Sequence, residues 1–287
     1  MTHQIAVKTP FLPLLALACA IASIASTAGA ADDLQAATKK IFDQRKDSVV
    51  WVSVVAKVTI SASDAKSPLN IPDQEKKLEA VGTIVDPAGL VVCALSSVDP
   101  AKEISGREIN TASGRVKLEA SATMKEVKIV MADGTEIPAD VVMKDADLDL
   151  AFIRTKADAK EAKGVTYPAL DLKDSVSAQV ADEVVTVSRA DELLNRQPMV
   201  QRGQIVCAIT KPRAFLRALG SMTGSPTFAL NGKLIGIGVT RSTKEKNPIL
   251  VVLPAADVLE IAEQAKAAKA LPAESAKPAT EKSADAK

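Results

Sequence analysis

The side chains that most often move protons or bind metals are scarce in this sequence. Its single histidine is His3, and its three cysteines are Cys19, Cys93 and Cys207. His3 and Cys19 lie in an N-terminal segment that we expect to be removed. Without a histidine, acyl transfer by a hydroxyl lacks its usual base, and two cysteines alone make a poor zinc site. We therefore expect no metal and no cofactor in the remaining chain.

That N-terminal segment, residues 1–30, has the order of an export signal. Lys8 precedes an apolar run over 11–24, and Ala28-Gly29-Ala30 follows before the acidic residues 32–33. A membrane anchor is the alternative, but the run is shorter than the roughly 20 residues of a span. A lipoprotein reading through Cys19 is also open, although the residues before it match poorly. We predict cleavage after Ala30 and a periplasmic or secreted protein without a membrane span.

The composition of the chain argues against some classes of binding partner. The chain has 287 residues, 47% of them apolar, which is enough for a buried core. Loss of Lys8 leaves 35 basic residues against 35 acidic ones, so the formal charge becomes zero. A neutral chain with only 2% aromatic residues offers nothing that indicates nucleic acid or sugar binding.

The acidic run Asp145-x-Asp147-x-Asp149 has the spacing of a calcium-binding loop. Such a loop needs Gly at its sixth position and a bidentate Glu at its twelfth. Those positions hold Leu150 and Lys156, so we reject this reading. Cys93 and Cys207 lie inside apolar runs, where either a buried thiol or a disulfide between them is open.

Most of the chain predicts β-structure. Strands are expected at 48–60, 180–188 and 203–210, and hairpins at 79–98 around 86–89 and at 126–144 around Asp133-Gly134. Helical spacing marks 32–47, through Leu34, Ala37, Ile41 and Phe42, and also 255–265. We expect a mobile loop that includes 75–77 and an irregular surface insertion at 99–125.

The chain is organised around residues 218–241. A tight turn with Gly224 and Pro226 leads into a short apolar run, an Asn231-Gly232 hairpin signal and a second apolar run over 234–239. This pattern predicts a loop presented by a rigid hairpin.

The same stretch resembles the nucleophile loop of the trypsin-like serine proteases, in particular their HtrA (Deg) branch. There, Gly-Asn-Ser-Gly-Gly-Pro precedes an apolar strand, Asn-Gly and a second strand; here the loop reads Ser-Met-Thr-Gly-Ser-Pro over 221–226. The hairpin 79–98 resembles the family's histidine hairpin, with Ser96 in the histidine position. The strand entered by Asp149 resembles the one that carries the triad aspartate. The resemblance implies a mainly β, trypsin-like double β-barrel with short N-terminal and C-terminal helices.

The resemblance also implies a degenerate active site. The vestigial triad positions are Ser96, Asp149 and Thr223, and the vestigial oxyanion loop is Ser221, Met222 and Thr223. Ser96 cannot serve as a base, threonine enzymes use a chain-terminal Thr, and Ser221 replaces a Gly. A lysine base remains an alternative. We expect Asp149 to bond hydroxyls such as that of Ser96, or backbone N–H groups.

These inferences divide the chain into a leader (1–30), an N-terminal helix (31–47), a first barrel (48–160), a second barrel (161–254), a closing helix (255–265) and an Ala, Lys and Pro-rich tail (266–287) that we expect to be disordered. We expect no PDZ domain after the closing helix. The favoured function is a catalytically inactive pseudoprotease that binds or scaffolds a peptide in the cleft between the barrels. The alternatives are an active serine-type endopeptidase with a non-standard triad and a purely structural envelope component.

Overall fold

A computed structural model describes residues 32–62, 71–111, 114–243 and 246–271. The predicted leader and the predicted tail from residue 272 lie outside these residues. Helix α1 covers 32–45 and a 3₁₀ turn follows at Lys46–Ser48. Within α1, Ile41 is buried and Leu34, Ala37 and Phe42 are half-buried, so the predicted helical face is the one that packs.

The first barrel has six strands that close on themselves. In spatial order β1, β2, β3, β7, β6 and β5 pair as neighbours, and β5 pairs back onto β1. Its elements are β1 (Val49–Ala62), β2 (Gln74–Asp86), β3 (Leu90–Ala94), α2 (Leu95–Val98), α3 (Ala101–Ile104), β4 (Glu108–Thr111), β5 (Gly114–Val130), β6 (Glu136–Asp145) and β7 (Leu150–Thr155). Strand β4 extends the sheet beside β5.

The second barrel closes in the order β10, β13, β12, β11, β8 and β9. Its elements are β8 (Glu183–Arg189), β9 (Pro198–Ile209), β10 (Phe215–Ala218), β11 (Pro226–Ala229), β12 (Leu234–Thr243) and β13 (Lys246–Pro254), and α4 (Ala255–Ala267) follows. The predicted mainly β double barrel with short terminal helices is confirmed.

β1 illustrates why this sequence forms a barrel wall. Its β-branched run alternates fully buried residues with partly exposed ones, and Val50, Val52, Val54, Ala56 and Val58 are all 0% exposed. A period of two with one apolar face fixes the register against both neighbours. β1 therefore supports β2 on one side and β5 on the other.

Both predicted hairpins are confirmed by their turns. At the first, the Asp86 carboxylate accepts from Ala88 N–H at 2.8 Å, and Gly89 adopts φ +83° as its N–H donates to the Asp86 carbonyl at 3.0 Å. At the second, Gly134 N–H donates to the Met131 carbonyl at 3.0 Å. In each turn the glycine takes the left-handed backbone that other residues resist.

Two expectations about irregular segments are wrong. Residues 99–125 contain α3, β4 and the first part of β5, and β5 pairs with β1 from Leu118 onward. Residues 75–77 are part of β2 and pair with 55–57 of β1. Both segments are polar, but their backbone groups find partners on β1, which is distant in sequence.

Side chains from both barrels and both terminal helices share one core. It includes Ile41 of α1, Phe152 of β7, Phe228 of β11 and Val258 of α4. Polar contacts join the barrels at their rim, where the Arg189 guanidinium donates to the Val49 carbonyl. The barrels therefore form a common support for the surface between them.

Candidate functional site

Ser96 and Asp149 meet at the boundary between the two barrels. Ser96 lies on α2, immediately after β3, and Asp149 is the last residue before β7. Leu95 N–H donates to the Asp149 carbonyl at 2.9 Å, which places the start of α2 on this turn. Asp149 has φ +58°, a left-handed backbone that Asp tolerates better than most residues.

The Asp149 carboxylate is almost fully buried and is bonded by both barrels. It is 2% exposed. One oxygen accepts from Ser96 N–H at 2.7 Å, and the other accepts from the Ser96 hydroxyl at 3.0 Å and from Thr240 N–H of β12 at 2.7 Å. A buried carboxylate needs such donors, and here two of the three are backbone groups. The carboxylate therefore links the first barrel to β12 of the second barrel through hydrogen bonds.

The loop that carries Thr223 is fixed through its glycines. Gly224 N–H donates to the Gly238 carbonyl at 2.7 Å, and Gly238 N–H donates to the Ser225 carbonyl at 2.9 Å. Gly224 has φ +75°, and a Cβ there would lie 1.9 Å from the Val81 carbonyl oxygen of β2. Only glycine fits this approach, so the loop is held between β12 and the first barrel.

Two of the three predicted triad positions are in contact, and the loop that carries the third is bonded to β12, the strand that also binds Asp149. Ser96 and Asp149 are in direct contact. Thr223 is half-buried, and the residue after it, Gly224, is bonded to Gly238 of β12, two residues before Thr240, which binds the carboxylate.

Ser221, predicted as part of the vestigial oxyanion loop, turns its side chain away from Thr223. It is 9% exposed, and its hydroxyl donates to the Ala218 carbonyl at 2.8 Å. Met222 supplies a carbonyl that accepts from Ser225 N–H at 3.2 Å. Among the residues that the structure describes, no acceptor is bonded to the N–H of Ser221 or Thr223.

Buried hydroxyls beneath the loop were missed by the sequence reasoning. Ser225 is 0% exposed and donates to the Ser188 hydroxyl at 2.8 Å, and Thr186 and Thr227 share a hydrogen bond of 3.1 Å. The Thr83 hydroxyl donates to the Gly224 carbonyl at 2.9 Å. The only sequence feature that could have indicated these bonds is the presence of serine and threonine inside otherwise apolar strands. They bind the loop to β8 and β2.

The two cysteines of the described chain are free thiols in different surroundings. Cys93 is fully buried on β3 and Cys207 is exposed on β9. Burial, together with the nearby Asp149 charge, raises the pKa of Cys93 to about 12. Because a thiol reacts as its thiolate, Cys93 is inert near neutral pH.

No group of three or more histidine, cysteine or acidic side chains in the described ranges is arranged to hold a metal ion. The Asp145 carboxylate accepts from the N–H groups of Asp147 and Leu148 within its own turn, at 3.0 and 2.9 Å. None of the helices described is both long and apolar enough to cross a membrane.

Comparison with known proteins gives a family. A family model described as the trypsin-like peptidase domain matches residues 80–237, more than half of the chain. Among solved structures, the MamO protease domain from Magnetospirillum magneticum in its apo form is 17% identical. That match covers 76% of this chain and 97% of that one, with a TM-score of 0.46. No curated protein matches the chain.

Proposed function

The chain belongs to the trypsin-like peptidase domain family, and from this premise we propose that it is an exported, HtrA-type homologue without peptidase activity that holds an extended peptide in the cleft between its barrels. The observation that carries the proposal is the bonding of Asp149. In a working triad this carboxylate orients a histidine. Here its oxygens accept from Ser96 and Thr240.

Histidine, the usual base for a hydroxyl nucleophile, does not occur in residues 31–287. The Ser96 hydroxyl donates its proton to Asp149 instead of accepting one. A lysine is the other base used by such enzymes. Lys144, on β6 of the same barrel, donates to the Asp99 carboxylate at 2.8 Å, so its ammonium is engaged in an ion pair. Proton transfer from Thr223 is therefore unsupported.

Binding is supported by the free edge of β12. This strand pairs with β11 from Leu234 to Ile237 and with β13 from Gly236 to Thr243. Past Gly238, its second edge faces the Thr223 loop and Asp149. Within the described chain, residues 241–243 have no strand partner on that edge. An extended peptide that adds a strand there would use backbone hydrogen bonds.

The test uses protein that consists of residues 31–287, with fluorescent unfolded casein for cleavage and a fluorophosphonate probe for an activated hydroxyl. We expect neither casein cleavage nor probe labelling. A peptide array followed by fluorescence polarisation measures binding of extended peptides. Thr223→Arg, which places a long cation in the cleft, should lower peptide affinity at least about tenfold.

Thr210→Arg is the matched control, because Thr210 is exposed beyond the end of β9. It should leave affinity unchanged. Equal affinity of both variants would refute binding in the cleft, and no binding by any of the three proteins would favour a structural role. Casein cleavage that is lost in Thr223→Ala would instead establish an active endopeptidase.

A further inference from the structure

The strands β5 and β6 separate soon after the turn that joins them. They pair only at Lys128 with Pro138, Ile129 with Ile137 and Val130 with Glu136. Farther from the turn, β6 pairs with β7 alone and β5 with β1. The gap holds a groove of about 270 Å³. In the described chain, residues 121–127 of β5 therefore have one edge without a strand partner, beyond the segment 118–120 that is bonded to residues 105–107.

The groove already receives the start of a strand from the chain itself. Leu271 lines it, and Leu271 N–H donates to the Val141 carbonyl of β6 at 2.8 Å. This bond lies on the edge of β6 that is not paired with β7. Leu271 is 44% exposed, so one extended residue has entered the groove without filling it.

Arg154 directs the chain to this edge. Its guanidinium donates to the carbonyls of Ala265, Lys266 and Ala268 at 2.6, 2.8 and 3.1 Å. These are carbonyls at the end of α4 that have no partner within the helix. The residue after them is extended, because Ala268 has φ −72° and ψ 147°. A side chain of the first barrel therefore ends α4 and turns the chain toward β6.

We propose that this groove is a strand-addition site, and that its occupant is the chain's own segment that begins at Leu271 and continues through Pro272 to Ala276. Continuity with the bond already formed carries the assignment. In an extended continuation, successive N–H groups face opposite edges. Leu271 faces β6, so Pro272, which has no N–H, removes no bond to β6, and Ala273 brings the next donor to β6.

The lining of the groove suits that segment. Its apolar residues are small or flexible: Ala122, Met124 and Val127 from β5, and Ala139 and Val141 from β6. The residues after Pro272 are Ala273, Glu274, Ser275 and Ala276, which have small side chains apart from Glu274. Ion pairs of Lys128 and Lys156 with acidic neighbours hold the rim in place.

The test is hydrogen exchange at the Val141 amide, followed by NMR on the full chain. The N–H and C=O of one strand residue point to the same edge, so this amide reports on the groove. Leu271→Pro and Ala273→Pro each remove a donor toward β6 and should speed exchange about fivefold. Glu274→Pro alters the opposite edge and is the matched control. It should exchange like the natural sequence.

A synthetic peptide of residues 268–277 should restore slow exchange to the Leu271→Pro protein and leave the natural sequence unchanged. Equal exchange in all variants, or an equal effect of Ala273→Pro and Glu274→Pro, would overturn the proposal. Protection that rises with protein concentration would assign the groove to a second copy and would also overturn it. Melting temperatures show whether each variant is folded. The comparison of Ala273→Pro with Glu274→Pro remains informative even if Leu271→Pro is destabilised.

Discussion

Asp149→Asn should lower the free energy of unfolding, because the Asp149 carboxylate links the first barrel to β12 through hydrogen bonds. Asparagine tolerates the left-handed backbone at φ +58°, so the substitution changes the charge and one acceptor and leaves the turn intact. The buried carboxylate loses its charge-assisted bonds to the N–H groups of Ser96 and Thr240. The Ser96 hydroxyl is half-exposed and can turn to water.

Hydrogen bonds to a charged group contribute about 1.5 to 3 kcal/mol each, and an amide oxygen still satisfies one of the two donors. We therefore expect a loss of about 3 kcal/mol in the free energy of unfolding, measured by urea denaturation. Asp147→Asn, an exposed change two residues away, is the control and should stay within about 0.5 kcal/mol. A loss below about 0.5 kcal/mol for Asp149→Asn would refute the claim that this carboxylate stabilises the contact between the two barrels.

Three further outcomes follow from other contacts. Burial alone would raise the pKa of Glu79, but the hydrogen bonds and charges of Arg196 and Lys77 together outweigh it and hold that pKa below its usual 4.5. The stabilisation from the Glu79–Arg196 pair, about 1 kcal/mol, should therefore be lost as the pH falls below about 4.5, and Glu79→Gln should flatten the pH dependence of stability to urea across that range. Ellman's reagent at pH 8 should titrate Cys207 quickly in native residues 31–287 and Cys93 only after unfolding; two fast thiols would contradict the burial. Gly224→Ala should cost at least about 3 kcal/mol of unfolding free energy, because its Cβ meets a backbone carbonyl; a thermal melt unchanged from the natural sequence would contradict the packing.

The parts of the fold that were predictable are those that short-range chemistry determines. Asp86 and Gly89 close one hairpin within four residues, and Asp133 accepts from Thr135 N–H at 2.9 Å in the other. The terminal helices follow from their spacing of apolar residues. Each of these features leaves its signal inside a window of a few residues.

The parts that were missed depend on partners far away in sequence. Strand β5 runs beside β1, with Leu118 opposite Ala62 and Val130 opposite Trp51. Its polar side chains face water, and the composition of 99–125 therefore resembled a loop. The strand that contains residues 75–77 was missed for the same reason, since pairing with β1 stabilises it and apolar burial does not.

In the candidate site, too, some contacts could be expected from the sequence and others could not. The order of the landmarks allowed the contact of Ser96 with Asp149 to be expected, and the structure places the two residues 3.0 Å apart. The hydrogen bond from Thr240 N–H could not be expected. Every residue except proline has a backbone N–H, so the sequence does not show which one will bind the carboxylate. The bond from Ser225 to Ser188 was equally hidden, since it depends on the packing of β8 under the loop.

The most direct measurement of the central claim is turnover by purified residues 31–287. Fluorescent unfolded casein is incubated with the natural sequence and with Thr223→Ala at neutral pH, and new amino termini are counted over a day. Because Asp149 is bonded to Ser96 and Thr240, and residues 31–287 contain no histidine, we predict the same background rate in both samples. Cleavage by the natural sequence that disappears in Thr223→Ala would contradict the account.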